Sequence, residues 1–280
     1  MIIISNSPSF QISEVIGEYS ENSVERQLLE QLSKSAETYR YDTLELLKFE
    51  LALRGKIVGA ARELDASGLR FAVFRKSECN PDYWDRTSNG GFLLKNGVKP
   101  GKAIRDIFIN GQKYATECAT AMVIVYYGAL LEVFPEETFN SLFSSIYLMD
   151  WHKLDPLLRE IGVPKTVADI LLGDRCYFIN PEVDPKVPEL QGENVIVLPD
   201  GLYYGHGIGI TSAGRIIRML NANRIEGATR SAYFIENSAA RPNFKKLAET
   251  SQNFAARPAS RPDARSAVLR WRPFPQPISG

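Results

Sequence analysis

"ATECATAMVIVYYGALL", residues 115–131, is the stretch on which the fold turns. From Ala119 on it is apolar nearly all round, and a helix that is hydrophobic on every face is a buried one. It is shorter than the ~20 apolar residues that cross a bilayer, and Gly128 interrupts it. A central, buried helix is therefore expected. Cys118 stands at its head, with Glu117 before it and Thr116 and Thr120 on either side. With Thr116 as N-cap, Cys118 falls at the second helical position. There the unpaired N–H groups and the positive end of the helix favour the thiolate. The same N–H groups would stabilise an oxyanion. The competing reading is plain packing, because free cysteine usually behaves as a small buried hydrophobe. Cys176, in "RCYFIN", fits that role; Cys79, in the turn-rich "CNPDYWDRTSNGG", has no base nearby.

A nucleophilic thiol needs a proton acceptor and an orienting group. "GENVIVLPDGLYYGHGIG", residues 192–209, offers both. Asp200-Gly201 between apolar runs predicts a two-residue hairpin loop. In that register Val195 faces His206, and Glu193 lies diagonally from His206 on the same sheet face. Diagonal neighbours are roughly 7–8 Å apart; a one-residue slip would put the two on opposite faces. Gly201, Gly205, Gly207 and Gly209 indicate close approach of backbone or substrate, but they do not form a nucleotide-binding GxGxxG loop opening a helix. Glu117 is the other nearby acid. At a helix start it gains from the helix dipole, and a carboxylate beside a thiol raises the thiol pKa; a proton shuttle is its alternative role. His152, next to Trp151 in "LMDWH", reads as packing, so His206 is the preferred imidazole.

Helices predominate in the first half. Asn22 or Ser23 caps one carrying Leu28, Leu29 and Leu32, and Asp42 with Glu45 opens "DTLELLKFELALRGKIVGAAREL", which Gly68 ends. "RFAVFRK" reads as a short strand. "PGKAIRDIFING" and "PEETFNSLFSSI" are amphipathic helices. Strand-like runs then take over in "RCYFIN", "NVIVLPD", "LYYGHGIGI" and "SAYFI", giving an α+β class. Residues 1–238 are expected to form one catalytic domain. Residues 239–280 hold four Arg-Pro pairs and no amphipathic period, and are expected to be a disordered tail; the alternative is a basic docking arm for an acidic partner.

Composition narrows the function. The chain has 280 residues, 24% charged, with a formal net charge of zero, so nothing draws it to nucleic acid or an anionic membrane. Three cysteines and two histidines argue against a disulfide framework or a structural zinc site. No secretory signal is recognised in "MIIISNSP"; synthesis in a cytoplasm is expected, with any extracellular placement reached by assembly. On the residues alone, a cysteine acyltransferase or peptidase is the functional expectation, weighed against a core cysteine.

"AIRDI…YATECATA…VIVYY", "LMDWH", "LLGDRCYFINPEVDP" and "GENVIVL…HGIGI" together resemble the bacterial spore-coat transglutaminases of Bacillus-type organisms, the protein-glutamine gamma-glutamyltransferases. The resemblance runs from about Tyr41 to Ile235. It implies a compact papain-like, NlpC/P60-type core, with a cysteine-bearing helix on a mainly antiparallel sheet and extra N-terminal helices. It makes Cys118 the nucleophile, Glu193 the principal acid–base carboxylate, Glu117 an alternate and His206 a supporting residue. Phe71 and Trp151 match an aromatic-walled substrate passage. Leu190 stands where relatives can carry a tryptophan, which implies a wider passage there. The implied substrates are proteins presenting Gln and Lys, in spore-coat assembly from the mother cell, with no cofactor; no calcium loop is present. A cysteine hydrolase with the same groups and an inert coat-structural protein are the rival readings.

Overall fold

The computed structural model describes residues 1–7 and 9–255. The apolar stretch forms the helix Cys118–Val133, buried along nearly its whole length. Against it lies the longest helix, Leu44–Ala66, which buries Leu47, Leu51, Ile57, Ala61 and Leu64. The helix Val24–Lys34 covers the other side of Leu44–Ala66 with Leu28, Leu29 and Leu32. Ser23 is its cap, accepting from the Arg26 N–H at 3.2 Å. The cap of Leu44–Ala66 is Thr43, not Asp42: the Thr43 hydroxyl accepts from the Leu46 N–H at 3.2 Å.

A five-stranded antiparallel sheet carries the second half. Its order is Gly209–Ser212, Leu202–Gly205, Gly192–Val197, Arg175–Ile179, Tyr233–Phe234. Gly192–Val197 is the middle strand and is buried throughout, which is why "GENVIV" shows no clean polar alternation. The head of the cysteine helix rests on this strand. "RFAVFRK" is not one strand. Only Arg70–Phe71 is extended, and a turn of 3₁₀ helix follows at Phe74–Lys76. The short strand pairs in parallel with Ala115–Thr116, setting Phe71 beside Thr116 just before the nucleophile candidate.

The expected hairpin register is shifted by one residue. Val195 pairs with Gly205, not His206. The Leu198 N–H donates to the Leu202 carbonyl at 2.9 Å, so the loop is Pro199-Asp200-Gly201, with Asp200 and Gly201 both at positive φ. The extra residue places Glu193 and the His206 side chain on opposite faces, because side-chain direction alternates along a strand.

The folded body runs past the expected boundary at 238. Ala240 exchanges two main-chain hydrogen bonds with Arg175, and the helix Phe244–Ala255 packs Phe244 and Leu247 into the core against Leu44–Ala66. The Arg-Pro pairs at 257, 261 and 272, and the docking-arm reading with them, lie outside the described residues. The first pair, Arg241-Pro242, is structural. The fully buried Asp174 accepts from Arg54 at 2.8 Å and Arg241 at 2.6 Å, while Arg54 stacks over Phe244 at 4.7 Å. Removing one partner of a buried pair typically costs about 3–5 kcal/mol, because the other charge is stranded. Asp174→Ala should therefore lower the unfolding free energy by about that much, measured as a fall in the urea midpoint; an unchanged midpoint would show the network to be dispensable.

Candidate active site

Glu117, not Thr116, caps the cysteine helix, which makes Cys118 the first helical residue. The Glu117 carboxylate accepts from the N–H groups of Ala119 and Thr120, both at 2.6 Å. Those are the donors that the sequence offered to an oxyanion. They are already occupied, so the oxyanion site has to be found elsewhere. Burial, opposed by these hydrogen bonds, leaves the Glu117 carboxyl above the usual carboxylate range.

Cys118 is half-buried at the floor of a cavity of about 500 Å³. Phe71, Phe74, Glu117, Asp150, Trp151, Arg175, Tyr177 and Asn194 are among the residues lining it. Phe71 and Trp151, expected to wall a substrate passage, both line this cavity. Leu190 does not line the cavity; its neighbours Glu189 and Gln191 do. Its carbonyl is held by the Asn180 side-chain amide at 3.1 Å.

The helix-head position does not give a resting thiolate. Burial pushes the Cys118 thiol up to about 12, and the Glu193 and Glu117 carboxylates add to the shift; Asn194 opposes it through side-chain and main-chain hydrogen bonds. Desolvation and like charge here outweigh the helix dipole, whose effect fades within the first turn.

Glu193 is 3% exposed, and its Oε1 has no hydrogen-bond partner. Burial, then the Glu117 charge, hold its carboxyl well above the usual range, with only the His206 main-chain N–H pulling it down. Its side chain lies over Gly205, where an added Cβ would sit 3.0 Å from the Glu193 Cγ. Any larger residue at 205 would displace the acid. A buried carboxyl whose pKa is raised is a stronger proton acceptor than an ordinary glutamate, which suits it to take and return protons.

The His206 side chain does not meet Cys118 or Glu193. Its Nε2 lies 3.2 Å from the carbonyls of both Arg70 and Thr116, and Nδ1 is 3.3 Å from the Tyr204 hydroxyl. Two carbonyl acceptors at Nε2 fix the proton there, leaving Nδ1 to accept from Tyr204. Burial lowers its pKa to about 4, so the imidazole is neutral at pH 7. His206 is thus a brace that ties the Arg70–Phe71 and Ala115–Thr116 pair to the sheet. Gly207 beside it, at φ 93°, leaves room for the Phe71 ring.

Two residues at the site were not anticipated. Asn194 directs its side-chain amide at the Cys118 sulfur, Nδ2 to Sγ 3.5 Å, and its Oδ1 accepts from Arg175 Nη1 at 2.8 Å. Arg175 also donates through Nε to the Ile161 carbonyl at 2.8 Å and lies 4.5 Å over the Trp151 ring. The available signal was a pair of polar side chains in otherwise apolar strands, which are costly to bury without partners. Among the described residues no group of three or more His, Cys, Asp or Glu side chains is gathered to hold a metal ion. No helix among them is long and apolar enough to cross a membrane.

Comparison with known proteins places this geometry in context. The family model for protein-glutamine gamma-glutamyltransferase matches residues 1–251. A protein-glutamine gamma-glutamyltransferase of Bacillus mycoides is 44% identical over 223 residues, covering 79% of this chain and 80% of the relative. One from Halalkalibacterium halodurans is 42% identical over 211 residues, covering 75% and 73%. The solved structure of a transglutaminase from Geobacillus stearothermophilus, without its C-terminal extension, superposes with a TM-score of 0.70 at 46% identity, covering 75% of this chain and 98% of that one.

Proposed function

Because the chain belongs to the protein-glutamine gamma-glutamyltransferase family and is thus an acyl-transferring enzyme, we propose that it joins proteins through Nε-(γ-glutamyl)lysine isopeptide bonds by way of a thioester on Cys118. The observation that carries this reading is a cavity-lining thiol, Cys118, with the buried Glu193 carboxyl close enough for its charge to raise the thiol, and with that carboxyl itself raised by burial. As the Cys118 sulfur attacks the side-chain carboxamide of a substrate glutamine, its proton passes to the Glu193 carboxylate. A C–S bond forms and the carbonyl electrons move onto oxygen. Collapse breaks the C–N bond, and Glu193 returns the proton so that ammonia leaves. A lysine amine then attacks the thioester and gives a proton to Glu193, which passes it to the departing sulfur. One amide replaces another, so no energy source is consumed.

Water competes for the thioester, and the walls formed by Phe71 and Trp151 limit its access. Glu117 serves the helix cap and tunes the thiol by its charge. The cysteine helix end seated on an antiparallel sheet that carries its acid partner supports a papain-like, NlpC/P60-type core. Spore-coat proteins presenting Gln and Lys are the proposed substrates, on the resemblance carried by the sequence motifs alone. In turnover of a glutamine peptide with excess primary amine, mass spectrometry should find the acyl-enzyme on Cys118 and mostly amine-coupled product. Glutamate as the sole product at saturating amine would instead establish a hydrolase, and no turnover of either kind an inert structural protein.

A further inference from the structure

The attacking sulfur must pass through an anionic or strongly polarised state, yet its surroundings are hostile to charge. Burial and two carboxylates all oppose a thiolate. The helix N–H groups of Ala119 and Thr120 are spent on Glu117. His206 has both ring nitrogens engaged elsewhere and is neutral. One side-chain donor faces the sulfur, the amide of Asn194 at 3.5 Å.

That amide cannot turn away cheaply. Asn194 is 7% exposed, and its Oδ1 is fixed by Arg175. The bond settles the orientation of the carboxamide: a guanidinium only donates, so it must hold oxygen, and the NH₂ must face Cys118. Arg175 is itself 5% exposed and locked by the Ile161 carbonyl and the Trp151 ring. A cation on the oxygen side also polarises the amide and makes its N–H a stronger donor. Preorganised donors of this kind are the usual source of charge stabilisation in buried sites.

We propose that Asn194 is a catalytic hydrogen-bond donor to the Cys118 sulfur, and that Arg175 is the positioning residue that orients it. The inference rests on the acyl-transfer reading for its kinetic consequence, but the donor role is testable without any substrate. The readout is the rate of Cys118 carboxamidomethylation by iodoacetamide against pH, followed by peptide mass spectrometry, alongside amine incorporation. Asn194→Ala should move the alkylation profile to higher pH and slow the reaction at pH 8 by about tenfold. It should cut kcat by about 10²- to 10³-fold, the usual cost of one such donor, with KM for glutamine peptide changed little.

Asn194→Asp guards against a folding artefact, since it keeps an acceptor for Arg175 while deleting the donor; it should lose activity at least as severely. Arg175→Lys, which cannot hold both partners, should shift the alkylation profile in the same direction by a smaller amount. A folded Asn194→Ala variant with the wild-type alkylation profile and kcat within threefold would overturn the donor role. A shifted Asn194→Ala profile with an unshifted Arg175→Lys profile would overturn the positioning role alone. If the wild-type protein couples no amine, the acyl-transfer reading falls while the alkylation profiles still decide the donor.

Discussion

Cys118→Ala should reduce amine incorporation into a glutamine substrate by about 10⁴-fold or more, the scale on which removal of a nucleophile acts. No neighbour can stand in for it. Cys79 does not line the cavity, and Cys176, which does, is only 2% exposed within the strand Arg175–Ile179. Cys118 is half-buried at a cavity floor, so losing its sulfur leaves little new void. The variant should fold with a melting temperature close to wild type. Incorporation persisting above about one per cent would remove Cys118 from the mechanism.

Glu193→Gln should follow, with a loss of about 10²- to 10⁴-fold, the range over which positioned acid–base groups contribute. Glu117→Gln should cost less, because an amide oxygen still caps the helix, and His206→Ala should fall between them by loosening the brace under Phe71 and Thr116. The pH dependence follows from the sign of the Glu193 shift. A raised carboxyl stays protonated above pH 4.5 and cannot accept the thiol proton. The acid limb of the wild-type rate should therefore lie well above that of an ordinary glutamate, and activity should fall as pH drops through it.

Stability should move the other way. Ionised Glu193 opposes folding at pH above its folded-state value, and this penalty is absent below the unfolded value. Glu193→Gln should thus melt at the same or a higher temperature than wild type at pH 8. A variant that is both fully active and less stable would contradict both halves of the argument.

The sequence showed the central helix and the order of the helices plainly, because each buries a face whose period is local. It also marked two candidates, Cys118 at a helix head and Glu193 in the expected hairpin, the acid–base role of Glu193 coming from the family resemblance. What it hid depended on single-residue offsets. Glu117 displaced Thr116 as the cap because a glutamate can reach the Ala119 and Thr120 N–H groups. One more residue in the 199–201 loop turned the His206 side chain away from Glu193. The Asn194–Arg175 pair spans two strands whose register is a tertiary property, so neither residue signalled the other. The boundary at 238 failed for a similar reason. "RPNFKKL" shows no long amphipathic period, but Arg241, Phe244 and Leu247 find partners in Asp174 and the Leu44–Ala66 helix.

The paired main-chain bonds between Arg175 and Ala240 bear on when the enzyme comes into existence. The strand that supports Asn194 is closed on one side by a segment translated long after the nucleophile. A nascent chain emerges N-terminus first, at roughly 5–20 residues per second, with Cys118 exposed well before that segment leaves the ribosome. Until then the strand Arg175–Ile179 lacks its main-chain pairing with Ala240. Chains released with residues 239–255 missing should accordingly bind to chaperones and couple no amine, whereas a chain stopped after Ala255 should be active.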